Sequence, residues 1–332
     1  MAEPNVAIVG ITGAVGQEMI NCLESRNFPI NELRPLASAR SAGKKINFRG
    51  NDIVIQELTE NSFEGIDIAL FSAGGGISKQ YCPIAANAGA VVVDNSSAFR
   101  MDQDVPLIVP EINPQEAGNH KGIIANPNCT TIVTLMGLNP LHKKWKISNI
   151  IASSYQAVSG SGAQGIEELR SQITAIANGN EIEKNVYPCQ IAHNVIPQVD
   201  AFLENGYTKE EMKMENEGRK ILETPDLKAS VTCVRVPVYR SHSVAVTVQF
   251  ESDPDVKEAR ALIDQAEGVN VMDDPDSGTF PTPLDTTNKD ACLVGRIRKD
   301  IVLDNALSLW VVGDQVRKGA ALNAVQIAEL LN

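Results

Sequence analysis

The chain has 332 residues, 43% apolar and 21% charged, a composition that describes a folded protein with room for two domains of ordinary size. A net charge of −12 argues against nucleic acid or an anionic lipid surface as partner, but not against a small anion held by a few local cations. No run of roughly eighteen apolar residues occurs, so no membrane span is expected. The N-terminus lacks the basic start and long apolar stretch of a secretion signal, and the six cysteines follow no framework spacing. Reduced thiols and a cytoplasmic location are expected. No CxxC pair or His/Cys cluster at ligand spacing is present, and no metal is expected.

Val6-Ala7-Ile8-Val9 is an all-apolar run suited to the middle of a parallel sheet. Gly10, Gly13 and Gly16 follow, with Thr12, Ala14 and Val15 between them, and a helix is expected over about 14–25. Strand, glycine turn and helix stand in the order that binds a dinucleotide pyrophosphate at a helix N-terminus. The spacing is GxxGxxG, and a tight turn without ligand has the same look. A second strand is expected over Leu33–Ser38. Its end carries no Asp or Glu for a ribose 2′-hydroxyl; Ser38, Arg40 and Ser41 offer a cation and two hydroxyls instead. A polar surface loop would read the same, but with the glycine turn upstream NADP is the expected cofactor. Strands at Ile66–Ser72 and Ala90–Val93 enclose a helix over 77–88, and Ser72-Ala73-Gly74 closes the first of them. The alternation, running to about residue 127, describes a doubly wound α/β domain.

Asn126-Pro127-Asn128-Cys129-Thr130-Thr131 places a thiol at the start of an apolar, helix-compatible run. Asn and Thr favour helix caps, and Pro is tolerated at a helix start. Unpaired N–H groups and the positive end of the helix dipole favour thiolate over thiol there. A small buried core residue is the ordinary alternative for Cys129. Beyond it the pattern changes: longer, alternating strands are expected at Ile147–Gln156, Val231–Pro237, Ser243–Gln249 and Ile301–Trp310, suiting a mostly antiparallel sheet. Helices are expected at Ile166–Ala177, Lys257–Glu267 and Gln315–Leu331, and a long surface loop at Asp273–Asn288.

Several polar residues lie where elements end. Gln156 closes a strand and precedes Ser159-Gly160; Arg100 follows a strand of the first half. Glu210 and Lys213, three apart, would share a helix face, where a solvated pair is worth at most about 0.5 kcal/mol. Arg235 and His242 bracket the turn Pro237–Ser241, and a hairpin there would bring them to one side. Singly, Arg235 could be a surface cation and His242 a satisfied core histidine.

Together, Val9–Gly16, Ser38–Gly43, Asn126–Thr131, Cys233–Val238 and Gly295–Arg298 resemble aspartate-β-semialdehyde dehydrogenases, in that family's order from first strand to last helix. The resemblance implies a Rossmann-type NADP-binding domain, 1–127 plus 313–332, and an α+β catalytic and dimerisation domain, 128–312, with a mostly antiparallel sheet, in a homodimer. It implies that the final helix returns to the nucleotide domain. It implies Cys129 as nucleophile, His242 as acid/base and Gln156 orienting the acyl group. Arg235 would hold the substrate carboxylate and Glu210 its ammonium, with Arg100, Asn128 and Lys213 on the phosphate. Ser159, Gly160 and Gln315 would line the nicotinamide side. The implied reaction is NADPH-dependent reduction of L-aspartyl 4-phosphate to the semialdehyde with release of inorganic phosphate, in lysine, methionine and threonine synthesis. Its rivals are reduction of another acyl phosphate, such as N-acetylglutamyl phosphate, and a non-catalytic nucleotide-binding homologue. Glu210 with Arg235 favours a free amino acid, since an acetylated amine has no charge to pair.

Overall fold

In the computed structural model, which describes residues 3–331, Val6–Val9 are wholly buried within β1 (Asn5–Val9). Burial on both faces explains why the run shows no alternation. Gly10 ends the strand and α1 (Ala14–Ser25) follows, matching the expected helix. Next come β2 (Glu32–Ala37), a hairpin of β3 (Lys45–Phe48) and β4 (Asn51–Val54), and the short β5 (Gln56–Glu57). Then β6 (Ile68–Phe71), α2 (Gly75–Asn87), β7 (Val91–Asp94) and β8 (Ile123–Ala125) complete the first sheet's elements. That sheet has the order β5-β2-β1-β6-β7-β8 and is parallel throughout, so the carboxyl ends of its strands share one edge. The β3–β4 hairpin and β5 were not expected from the sequence. They are rich in Lys, Asn, Asp and Gln, residues that carry little strand signal.

The second unit begins with α3 (Cys129–Trp145), followed by β9 (Ile147–Gln156), α4 (Gly162–Ala177) and α5 (Lys209–Ile221). It continues through β10 (Lys228–Arg235), β11 (His242–Phe250), α6 (Val256–Asp264), β12 (Val269–Val271) and α7 (Pro283–Thr286) to β13 (Cys292–Lys299) and β14 (Ala306–Gly313). Sheet order is β10-β9-β11-β14-β13-β12, antiparallel in the centre and parallel at both edges. Along β9, Ile150, Ala152, Ser154 and Gln156 are buried, while Ile151 and Tyr155 on the other face are exposed. The buried face carries α3. The chain then rejoins the first unit as α8 (Leu322–Glu329), which packs on α1; Arg26, the residue after α1, pairs with Glu329, the last of α8, at 2.6 Å.

Contacts divide the chain after Asn128 and after Gly319. Residues 313–319, grouped with the nucleotide domain by resemblance, stay with the second unit. Gly313 ends β14 opposite His242, and Asp314 and Gln315 are bonded to Arg240 and Ser241.

Three expectations need correction. The strand expected from Ile301 starts at Ala306. The Asp300 carboxylate accepts the N–H groups of Val302 and Leu303 and folds Ile301–Asn305 into a turn, leaving Ile301 97% exposed. The helix expected over 315–331 is α8 preceded by one wide turn at Arg317–Ala321. Finally, β10 and β11 do not form a hairpin: β9 lies between them, parallel to the first and antiparallel to the second. Residues 236–241 arch over its end, with Val158 N–H bonded to Val238 O and Ser159 N–H to Tyr239 O.

Candidate active site

That arch is what gathers the polar residues of the second unit. Gln156 ends β9 and sits in register with Arg235 at the end of β10, while His242 opens β11 on the far side of β9. Strand parity turns all three toward the buried face beneath α3. Cys129 is the first residue of α3, and its Sγ lies 3.5 Å from His242 Nε2. A thiol, an imidazole, an amide and a guanidinium thus converge on one helix N-terminus.

Each of these groups is held by neighbours. His242 is fully buried, and its Nδ1 accepts the Ala157 N–H at 3.1 Å. Burial, and then the Arg235 cation, push its pKa down to about 3, with Glu210 acting the other way. Arg235 donates from Nη1 to Ala157 O at 2.7 Å, which fixes the plane of its fork. Gln156 donates from Nε2 to Thr130 Oγ1 at 2.5 Å and to Glu210 Oε1 at 3.1 Å. Glu210, in the first turn of α5, also pairs with Lys213 at 2.7 Å, and Lys213 lies 3.6 Å from Asp200. Glu210 and Lys213 are therefore part of the cluster and not a solvated pair.

Two glycines make room for it. A Cβ on Gly160 would stand 2.7 Å from Arg235 Nη1 and 3.4 Å from the His242 ring. One on Gly319 would stand 2.9 Å from Cys129 Cβ. Gln315 Nε2 donates to Ser159 Oγ and its Oε1 accepts the Ser241 N–H, so it ties the Ser159-Gly160 turn to the residue before His242. Ser241 itself holds a left-handed φ of 75°. Cys233 lies under Gln156, but burial pushes its thiol up to about 12, so it stays protonated.

In the first unit, Gly10 takes φ +86° and lies so close to the end of β6 that a Cβ would come within 2.3 Å of Ser72 O. Beside it opens a cavity of about 560 Å³ lined by Gly10, Thr12, Gly13, Ser38, Ser72 and Ala73 among others. Ala14, Val15 and Gly16 form the first turn of α1, Gly74 precedes α2 with φ +84°, and Arg40 and Ser41 sit in the turn after β2. The residues fit a dinucleotide: a helix N-terminus, close backbone approach and a slot at the strand ends. Glu57 also lines the cavity, from the end of β5 beside Ala37. Sequence reading missed it because it searched only the end of β2 for a carboxylate. Ala157, Thr130 and Gly319 were missed too; Gly-to-Cys contacts across 190 positions leave no local pattern. Arg100 is buried, donating to Asn126 O and Asn95 O, and Asn128 is buried at the end of this unit. Among the described residues no group of three or more His, Cys, Asp or Glu could hold a metal ion, and no helix is long and apolar enough to cross a membrane.

Comparison with known proteins follows the same two units. Residues 5–120 match the family model "Semialdehyde dehydrogenase, NAD binding domain", and 138–318 match "Semialdehyde dehydrogenase, dimerisation domain". The aspartate-semialdehyde dehydrogenase of Aquifex aeolicus is 51% identical over 98% of this chain and 97% of its own length. The crystal structure of aspartate semialdehyde dehydrogenase II from Vibrio cholerae, complexed with ASA, superposes with a TM-score of 0.97 at 47% identity, covering 100% of this chain and 98% of that one. A more distant structure, the Candida albicans enzyme with NADP, has a TM-score of 0.78 at 26% identity, over 99% and 98% of the two chains. With half the residues shared along nearly its whole length and both family domains matched in order, this chain belongs to the aspartate-semialdehyde dehydrogenase family.

Proposed function

We propose that this protein catalyses the NADPH-dependent reductive dephosphorylation of L-aspartyl 4-phosphate to L-aspartate 4-semialdehyde, and the phosphate-dependent oxidation in reverse. The observation that carries the reading is the 3.5 Å approach of Cys129 Sγ to His242 Nε2 at the start of α3, beside Gln156 and Arg235. Cys129 is the nucleophile. Its sulfur attacks the acyl carbon, the bond to the phosphate oxygen breaks, and a thioester remains. Gln156 orients the acyl group. Arg235, its fork fixed by Ala157 O, holds the α-carboxylate through a bidentate geometry that Lys lacks. Glu210 receives the α-ammonium, and His242 occupies the acid–base position. Arg100, Asn128 and Lys213 bind the phosphate. Ser159, Gly160 and Gln315 face the nicotinamide side.

NADPH, when bound, supplies the hydride that reduces the thioester. Gly10, Thr12, Gly13, Ala14, Val15 and Gly16 receive its pyrophosphate, Ser72, Ala73 and Gly74 close the slot, and Ser38, Arg40 and Ser41 take the 2′-phosphate. The Candida albicans relative solved with NADP supports that choice. The two units act as nucleotide domain and catalytic domain, and the chain works as a homodimer. The matched dimerisation model supports the dimer, as do the exposed Ile151 and Tyr155 on the sheet face away from α3. Six free thiols suit the reducing cytoplasm.

The test is NADPH formation from aspartate semialdehyde, N-acetylglutamate semialdehyde and glyceraldehyde 3-phosphate, each with and without inorganic phosphate. Phosphate-dependent turnover of the first alone is expected. Preference for either of the others would overturn the substrate reading.

A further inference from the structure

Of the residues described along the nucleotide cavity, Glu57 alone is charged. Among the described residues its carboxylate enters no hydrogen bond or ion pair; Ser62 Oγ reaches only its backbone oxygen. The sheet sets its place. β5 runs parallel to β2 with Glu57 in register with Ala37, and the Leu58 N–H bonds to Ala37 O at 2.8 Å. The strand order β5-β2-β1 spreads the cavity lining over three neighbouring strand ends, each about 4.8 Å from the next. Gly10 stands at the end of β1, Ser38 at the end of β2 and Glu57 at the end of β5. Leu58 adds apolar lining, as do Ile77 and Tyr81, four apart on one face of α2. All three are only partly buried against the core beneath them.

A dinucleotide's pyrophosphate belongs at the N-terminus of α1, which leaves its adenosine half to run outward over β2 toward β5. At that outer end the lining is one carboxylate among apolar side chains. A carboxylate only accepts hydrogen bonds and repels phosphate, so Glu57 does not serve the pyrophosphate or a 2′-phosphate. The donors that adenosine still offers are ribose hydroxyls and the N6 amine of its base. Ribose belongs over the end of β2, beside Ser38. One strand further out lies the base, a flat ring whose faces suit the surfaces of Leu58, Ile77 and Tyr81. We propose that Glu57 selects the base of the dinucleotide: its carboxylate accepts the N6–H of adenine and disfavours a purine with a carbonyl oxygen at that position. A 6-oxo purine would set one acceptor against another and lose a charge-assisted bond. The proposal rests on the cofactor reading above. It adds a selection that Ser38, Arg40 and Ser41, assigned to the 2′-phosphate, do not make.

The test compares NADPH with its deamino analogue, in which hypoxanthine replaces adenine, by direct binding to the whole protein. Fluorescence of the reduced nicotinamide reports both dissociation constants. The unsubstituted protein is expected to hold NADPH at least about tenfold more tightly, as loss of one hydrogen bond to a charged group implies. Glu57→Gln should bring the two constants within about threefold, because an amide can turn its NH2 toward the 6-oxo group. Both residues of β5 are exposed, so the substitution leaves the core alone. The preference for NADPH over NADH should not change in that variant. Equal binding of the two bases by the unsubstituted protein, or a base preference that Glu57→Gln leaves intact, would overturn the proposal. So would a variant that keeps its base preference and shifts NADPH against NADH by about tenfold, which would put Glu57 on the ribose. The same comparison runs with NADH and deamino-NADH. Binding confined to those forms would reject NADP in the proposed function, and their ratio would still decide the part of Glu57. Absence of phosphate-dependent turnover of aspartate semialdehyde would strike the substrate reading and leave the binding ratios standing.

Discussion

Cys129 is one of six free thiols, and its surroundings separate it from the rest. Cys22, Cys82, Cys233 and Cys292 are buried, and burial drives the Cys82 and Cys233 thiols up, away from the reactive thiolate. Cys129 alone begins a helix beside an imidazole. Cys129→Ala should therefore abolish turnover while NADPH still binds, as measured by quenching or enhancement of the dinucleotide fluorescence; residual activity above about a thousandth would reject the nucleophile. Glu57 lines the cavity beside Gly10, and Arg40 follows the lining residues Ser38 and Ala39 in the turn after β2. If Arg40 holds a 2′-phosphate, Arg40→Ala should lower the preference for NADPH over NADH by about tenfold, the worth of one charge-assisted contact. An unchanged kcat/KM ratio would remove Arg40 from the site. Cys129, His242 and Arg235 stand out in the sequence because their residue types carry chemistry and sit in recognisable segments, and the structure brings them together. Glu57 does not, since only the pairing of β5 with β2 brings it to the strand end.

At the scale of elements, the strand-rich second unit was read correctly where alternation was strong, as in β9, whose bounds were expected without error. It was misread where a side chain competed with the ladder, as Asp300 does at the turn before β14. The arch between β10 and β11 was misread for another reason: six residues after a strand look like a hairpin connection, and nothing local says that β9 will enter between. The wide turn at Arg317–Ala321 brings a second backbone against the start of α3. Gly319→Ala puts a methyl 2.9 Å from Cys129 Cβ, so α3 must shift at its first residue. We expect kcat to fall by about a hundredfold, as misplacement of a reacting atom by an ångström or so does. Thermal stability should drop by only about 1–3 kcal/mol. A variant with normal kcat would show that the contact does not position the sulfur.

For the whole molecule, acid stability follows from the buried histidines. His142 accepts the Ile147 N–H at 3.1 Å, and burial, with Lys146 nearby, lowers its pKa to about 4. Above the unfolded value of about 6.5 both states are neutral and its contribution is intact. As pH falls from there toward 4, the unfolded chain takes up a proton that the folded one refuses, and stability is lost across that window. Melting temperature should decline more steeply between pH 6.5 and 4.5 than in His142→Gln, whose amide oxygen can accept the same N–H; parallel curves would rule this out. His242 works in the same direction from its own depressed value. One further consequence comes from the arch over β9. Because Gln156, Arg235 and His242 reach the cluster at Cys129 only through the alignment of three neighbouring strands, sliding β10 by a single position would turn Arg235 to the opposite side. Recovery of enzyme activity during renaturation should then lag the return of bulk β signal whenever misaligned ladders form first, making turnover a gauge of correct threading.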